Sequence, residues 1–163
     1  MDISRFLRHV AMSPLKARRA FSAETLDAIA REVASLEQSH RGEVCLVVEA
    51  ELSSADLWRD LSSRDRAREV FASQGVWNTA ENNGVLVYLL LADRKVEIVA
   101  DRGVRATDAE WQAICRTMEE QFRAGRFQEG AIAGVRAVSA MLARDFPPDG
   151  RHRNELADRP VVM

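Results

Sequence analysis

The feature that most constrains this chain is a pair of short, almost unbroken apolar runs, EVCLVVEA at 43–50 and GVLVYLLL at 84–91. Neither can cross a bilayer, since the longest such run, 85–92, has eight residues where a span needs about 20. Neither alternates like a strand with one wet face, so both read as strands buried on both sides. The segment between them reads as a helix. It opens after Ser53 and Ser54, runs towards Gln74 with Leu57, Leu61, Val70 and Phe71 as inner-face candidates, and ends at Gly75. A strand, a crossover helix and a second strand form a right-handed βαβ unit with its strands parallel.

A third strand follows. Ala92-Asp93-Arg94 reads as a turn, and KVEIVA at 95–100 alternates, so it returns antiparallel as a half-buried strand. Placing Leu91 opposite Val96 sets Gly84 opposite Gly103. Ahead of the first strand, Ser22 caps a helix with Leu26, Ile29, Val33 and Leu36 on one face, which stops near His40-Arg41-Gly42. After the third strand, Thr107 and Glu110 form a capping box. The helix that follows carries Trp111, Ile114, Cys115, Met118 and Phe122 in one stripe until Gly125 breaks it. Trp111 and Phe122 sit at core spacing. A last helix from about Phe127 presents Ile132, Val135, Val138 and Leu142 and ends before Pro147-Pro148. The order α-β-α-β-β-α-α predicts a three-layer α/β/α sandwich on a small mixed sheet.

Three parts follow: a basic arm over 1–20, the α/β domain over 21–146 and a polar tail over 147–163. The arm holds Arg5, Arg8, Lys16, Arg18 and Arg19 against only Asp2. Phe6, Leu7, Val10 and Ala11 share a helical face in it, but Pro14 cuts that helix short. The arm reads first as a frayed segment resting on the domain, and second as a basic anchor touching a membrane surface.

Composition removes several function classes. With 163 residues, 47% hydrophobic and 29% charged, the chain is an ordinary globular domain. A net charge of −2 gives no field that would drive it onto nucleic acid. Cys45 and Cys115 sit in apolar patterns as buried hydrophobes, and His9, His40 and His152 are far apart, so no zinc spacing exists. No apolar core of a signal peptide follows the basic start, because Arg8 interrupts Phe6-Leu7. The expected compartment is the cytoplasm.

Candidate chemistry gathers at two edges of the predicted sheet. Glu43 and Asn82-Asn83-Gly84 open the two parallel strands, and Asp101-Arg102-Gly103 leaves the third at the same end, just before Asp108. Glu81, Asn82, Asn83, Asp101, Arg102 and Asp108 are therefore expected to converge. Such hard oxygen ligands suit Ca²⁺ or Mg²⁺, while Arg102 and the helix start after Thr107 suit a phosphate. Spacing alone favours a plainer account, in which Asn-Asn-Gly is turn chemistry and Asp108 a capping residue. The opposite edge holds Glu49, Glu51, Asp93 and Arg94. Ligands of open α/β sheets usually bind beyond the carboxyl ends of parallel strands. Asp93-Arg94 nevertheless reads as a solvated hairpin tip, which ranks this edge second.

The central block, WNTAENNGVLVY at 77–88 followed by DRKVEIV at 93–99, resembles the TPM-domain family. The resemblance continues through Phe122-Arg123-Ala124-Gly125 and the last helix, covering about 21–146, and 154–160 (NELADRP) resembles the tail of a short bacterial branch. It implies a three-layer α/β/α fold, Ca²⁺ binding, and an acid-phosphatase activity proposed for plant members, which serve repair of photosynthetic membranes. The pattern departs at two places: family members commonly have Asp where Asn82 stands, and Gly-x-Gly where Asp101-Arg102-Gly103 stands. One carboxylate is lost and another gained at the same edge.

Two functions follow as expectations. One is a non-catalytic module that binds a divalent cation or a partner protein, and it is preferred. The alternative is a metal-supported phosphatase acting on phosphomonoesters. In it Asn82, Asn83, Asp101 and Asp108 hold Ca²⁺ or Mg²⁺, and Arg102 stabilises developing charge.

Overall fold

A computed structural model describes residues 2–150 and 153–163 of the chain; His152 lies outside them. Its sheet has strands β1 (Glu43–Glu49), β2 (Gly84–Leu90), β3 (Lys95–Ala100) and β4 (Val161–Val162) in the order β3-β2-β1-β4. β1 and β2 are parallel and β3 is antiparallel to β2. Every residue of β1 and β2 is buried, as their unbroken apolar character required.

Successive side chains point to opposite faces, so each strand feeds two cores. Val44, Leu46, Val48, Val85, Val87 and Leu89 pack with Ile29, Val33, Met118 and Val135. These last come from α3 (Ala23–Leu36), α6 (Asp108–Arg123) and α7 (Phe127–Asp145). Cys45, Val47, Leu86, Tyr88 and Leu90 pack on the other side with Leu57, Ala67 and Val70. Those belong to α4 (Ser54–Trp58) and α5 (Ser63–Ser73). The result is a three-layer α/β/α sandwich. Trp111 is buried in the first core, and Phe122 stacks on Phe127 at 5.6 Å.

Four features differ from the sequence reading. The crossover is two helices, because Asp60 turns the chain at φ 54° and Ser62 starts α5 by accepting from the Asp65 N–H. The hairpin register is shifted by two: Leu90 pairs with Lys95 and Leu89 with Val96. Leu91 leaves that ladder for a four-residue connection closed by Arg94 at φ 54°, while its N–H stays bonded to the Glu49 carbonyl at 3.0 Å. An even shift leaves every side chain on its expected face. The tail contributes β4, which pairs parallel with β1.

The fourth difference is the arm. It forms α1 (Ile3–Ala11) and α2 (Pro14–Ala20), with Pro14 opening the second helix after the Ser13 cap. α1 lies polar side inward. His9 is 1% exposed, and its Nδ1 accepts from the Leu52 N–H at 2.9 Å, so the ring proton sits on Nε2 and donates to Asp93 at 3.1 Å. Arg5 grips the same carboxylate through Nε at 3.0 Å and Nη2 at 2.8 Å. Ile3, Leu7 and Val10 face outward. The segment is docked, not frayed. Asp93, with a side chain 9% exposed, is a buried anchor where a solvated turn was expected.

Candidate functional site

The amino ends of β1 and β2 and the exit of β3 meet at one edge. Glu43 is in register with Gly84, and the Glu43 N–H bonds the Asn83 carbonyl at 3.2 Å. The Asp101 N–H donates to the Gly84 carbonyl at 2.9 Å, and the Gly103 N–H to the Asn82 carbonyl at 2.9 Å. Asn82, Asn83, Asp101 and Arg102 are thereby neighbours, as expected. Gly84 faces Asp101, not Gly103, through the two-residue shift.

Both glycines here answer a packing demand. A Cβ on Gly84 would stand 2.1 Å from the Val76 carbonyl oxygen, and one on Gly103 would stand 2.4 Å from that of Asn82. Asn82 itself adopts φ 52°, a conformation asparagine tolerates better than most residues. Asn-Asn-Gly thus binds the 77–83 loop closely to the end of the sheet.

Asn83 is 1% exposed. Its Nδ2 donates to the Arg41 carbonyl at 2.7 Å and to Glu81 at 3.4 Å, and its N–H donates to Thr79 Oγ1 at 3.0 Å. Its Oδ1 is buried with no hydrogen-bond partner among the described residues. Asp101 resembles it: Oδ1 accepts from the Arg102 N–H at 2.7 Å, while the buried Oδ2 has no partner among the described residues. Glu81 is held by Arg41 at 2.7 Å. The Arg102 side chain is exposed, with no ion pair among the described residues.

Asp108 is placed elsewhere. It opens α6 next to Thr107 and lines a cavity of about 320 Å³ with Arg64, Arg68, Glu97, Trp111 and Cys115. None of Asn82, Asn83 and Asp101 lines that cavity. Among the described residues no group of three or more His, Cys, Asp or Glu side chains is arranged to hold a metal ion. Any cation at the loop edge must therefore draw on amide and carbonyl oxygens besides Asp101.

Glu43, which the sequence placed at this edge, is joined there by Glu37, which it did not. Glu37 and Glu43 are both buried, and Glu43 accepts from the Leu156 N–H at 3.1 Å. Burial first, then the charges of Glu43 and Asp158, push the Glu37 carboxyl up to about 8. Burial likewise lifts Glu43 to about 7 against hydrogen bonds from the Glu155 and Leu156 backbone. The available signal was a glutamate opening a strand whose next five residues are all apolar. Elsewhere, burial raises the Cys45 thiol to about 11 and Cys115 to about 12, which makes both inert hydrophobes.

The opposite edge carries a buried network as well. Glu49 accepts from Arg66 at 2.7 and 3.0 Å and from the Tyr88 hydroxyl. No helix among the described residues is long and apolar enough to cross a membrane.

This three-layer sandwich has known counterparts. The family model for the TPM domain matches residues 16–141, and the chain belongs to that family. Among solved structures it is similar to the BA42 protein of the psychrophilic bacterium Bizionia argentinensis. That pair is 28% identical with TM-score 0.74, covering 87% of this chain and 94% of the other. The N-terminal domain of a protein from P. gingivalis is 24% identical with TM-score 0.61, over 80% and 82% of the two chains. The N-terminal domain of the cg2496 protein from Corynebacterium glutamicum shares the fold at 15% identity and TM-score 0.54, over 82% and 84%. A search of curated proteins gives no match.

Proposed function

We propose that this TPM domain is a non-catalytic binding module whose loop edge takes a divalent cation, Ca²⁺ in preference to Mg²⁺. One observation carries the reading. Two buried side-chain oxygens, Asn83 Oδ1 and Asp101 Oδ2, belong to the residue before Gly84 and to the residue that bonds the Gly84 carbonyl, and neither has a hydrogen-bond partner among the described residues. A buried acceptor left unpaired costs about 1–3 kcal/mol, which a hard cation at that edge would remove. Ca²⁺ accepts irregular sets of carboxylate, amide and carbonyl oxygens, whereas Mg²⁺ demands near-octahedral geometry. With Asp101 supplying the one buried carboxylate oxygen left without a partner beside this loop among the described residues, affinity belongs in the weak, roughly millimolar class. A phosphatase has less support, because the cavity that Asp108 lines is lined by none of Asn82, Asn83, Asp101 and Arg102.

The test is a thermal shift. At Ca²⁺ about tenfold above such a dissociation constant, mass action stabilises the fold by about 1.4 kcal/mol, or roughly 3–6 °C. Asp101→Ala should abolish the rise, and Asn82→Asp should enlarge it by adding a charged oxygen. No shift in either the wild type or Asn82→Asp would make the edge purely structural.

A further inference from the structure

At the other end of the sheet, beyond the carboxyl end of β2, a cavity of about 530 Å³ opens between α2, the hairpin connection and the α6–α7 corner. Its volume falls in the range of small-molecule sites, and its place is where ligands of α/β sheets usually bind. Apolar residues form its walls: Met12, Leu89, Leu91, Phe122 and Phe127. Phe122 lies flat on Phe127, a stacking made possible by Gly130, where a Cβ would stand 2.7 Å from the Phe122 ring. The polar lining is entirely cationic, from Lys16, Arg19, Arg94, Lys95 and Arg123.

Two of those charges are compensated nearby. Glu119 reaches Lys95 at 3.8 Å and Arg123 at 3.4 Å. The Lys16 ammonium donates to the Ala11 carbonyl at 2.7 Å. Arg19 and Arg94 form no ion pair with any described residue, and no acidic side chain lines the cavity. Arg94 is also held at φ 54°, on the connection that Arg5 and His9 clamp through the neighbouring Asp93.

We propose that this cavity binds a single-chain anionic amphiphile, a medium-chain carboxylate, with its tail against Phe122, Phe127 and Leu89 and its head on Arg19 and Arg94. Apolar walls alone would suit any hydrophobic ligand. The unpaired guanidinium groups, both on exposed residues at the cavity's edge, select for an anion, because a carboxylate head accepts charge-assisted, bidentate hydrogen bonds from them. The docked arm is part of the site, since Met12, Lys16 and Arg19 all come from it.

Calorimetric titration of the full chain with decanoate below its micelle concentration tests the assignment. Decan-1-ol supplies the tail without the charge, and acetate the charge without the tail. Decanoate should bind one-to-one with a dissociation constant of about 100 μM or lower. Decanol should bind at least roughly tenfold more weakly, and acetate should not saturate. The double variant Arg19→Gln/Arg94→Asn should lose about tenfold in affinity with its melting temperature unchanged, since asparagine accepts the left-handed conformation at 94. Arg19→Gln alone, on the exposed side of α2, should lose about threefold. Amide shifts should centre on Leu89, Leu91, Phe122 and Phe127. Equal affinity in the variants, shifts confined to Ile3, Leu7 and Val10 on α1, or binding to anionic vesicles without saturable decanoate binding would each overturn the proposal.

Discussion

Replacing Asp93 by Ala should cost the fold about 3 kcal/mol, although Asp93 lies on a hairpin connection outside the strands. Its carboxylate accepts from Arg5 Nε and Nη2 and from His9 Nε2, all within 3.2 Å. Breaking a buried ion pair by removing one partner costs about 3–5 kcal/mol, because the other charge stays buried. The low end applies here. Arg5 keeps a hydrogen bond to the Leu61 carbonyl at 2.8 Å and has Asp60 at 3.7 Å, and its side chain is 14% exposed. Urea unfolding at neutral pH reads the loss directly, and thermal unfolding should show a fall of roughly 6–12 °C. The same substitution in a chain lacking residues 2–11 should cost much less, since the partners are already gone. Burial alone would raise the Asp93 carboxyl, but hydrogen bonds from Arg5 and then His9 outweigh it and hold it below its usual value. A carboxyl depressed in the folded state stabilises above its unfolded pKa and loses that contribution as pH falls through the folded value. The Asp93 contribution should therefore be complete at neutral pH and fade only below about pH 4. A loss under about 1 kcal/mol at neutral pH would mean that the arm rests on the domain without holding it.

Two further outcomes follow from buried groups. Tyr88 is the chain's single tyrosine, and burial, then its hydrogen bond to Glu49, push its hydroxyl far above the ordinary value. Absorbance near 295 nm should show no native phenolate around the ordinary pKa of about 10, and ionisation should come only with alkaline unfolding. A reversible native titration near that pH would place Tyr88 in contact with water. Glu37 and Glu43 are raised in the folded state to about 8 and about 7, so between about pH 4.5 and 8 the folded chain binds more protons than the unfolded one. Their contribution must fall as pH rises through that window. Glu37→Gln should raise the melting temperature at pH 8 and flatten the profile, whereas an unchanged slope would remove Glu37 as its source.

The middle of the fold was legible in the sequence because its signals are local. A run such as VCLVV can only be a strand covered on both faces, and Gly75 and the Thr107–Glu110 box mark ends with chemistry that acts within a turn of the chain. The same local logic brought Asn83 and Asp101 to one edge. It stopped where a partner lay far away in sequence. Arg5 read only as one charge of a basic arm and His9 only as a histidine far from the other two, because Asp93 stands more than 80 positions later, and that pairing turned α1 with its polar side inward. Val161 and Val162 form a strand only because β1 offers an open edge, which two residues cannot announce by themselves. Asp108 left the expected cluster since α6 begins beside Arg64 and Glu97, not beside Asn83. The cationic cavity was invisible for the same reason, as its lining is drawn from α2, the hairpin and the α6–α7 corner. Periodicity and capping are set by neighbours along the chain, whereas ion pairs, edges and cavities are set by neighbours in space, which exist only once the sheet has closed.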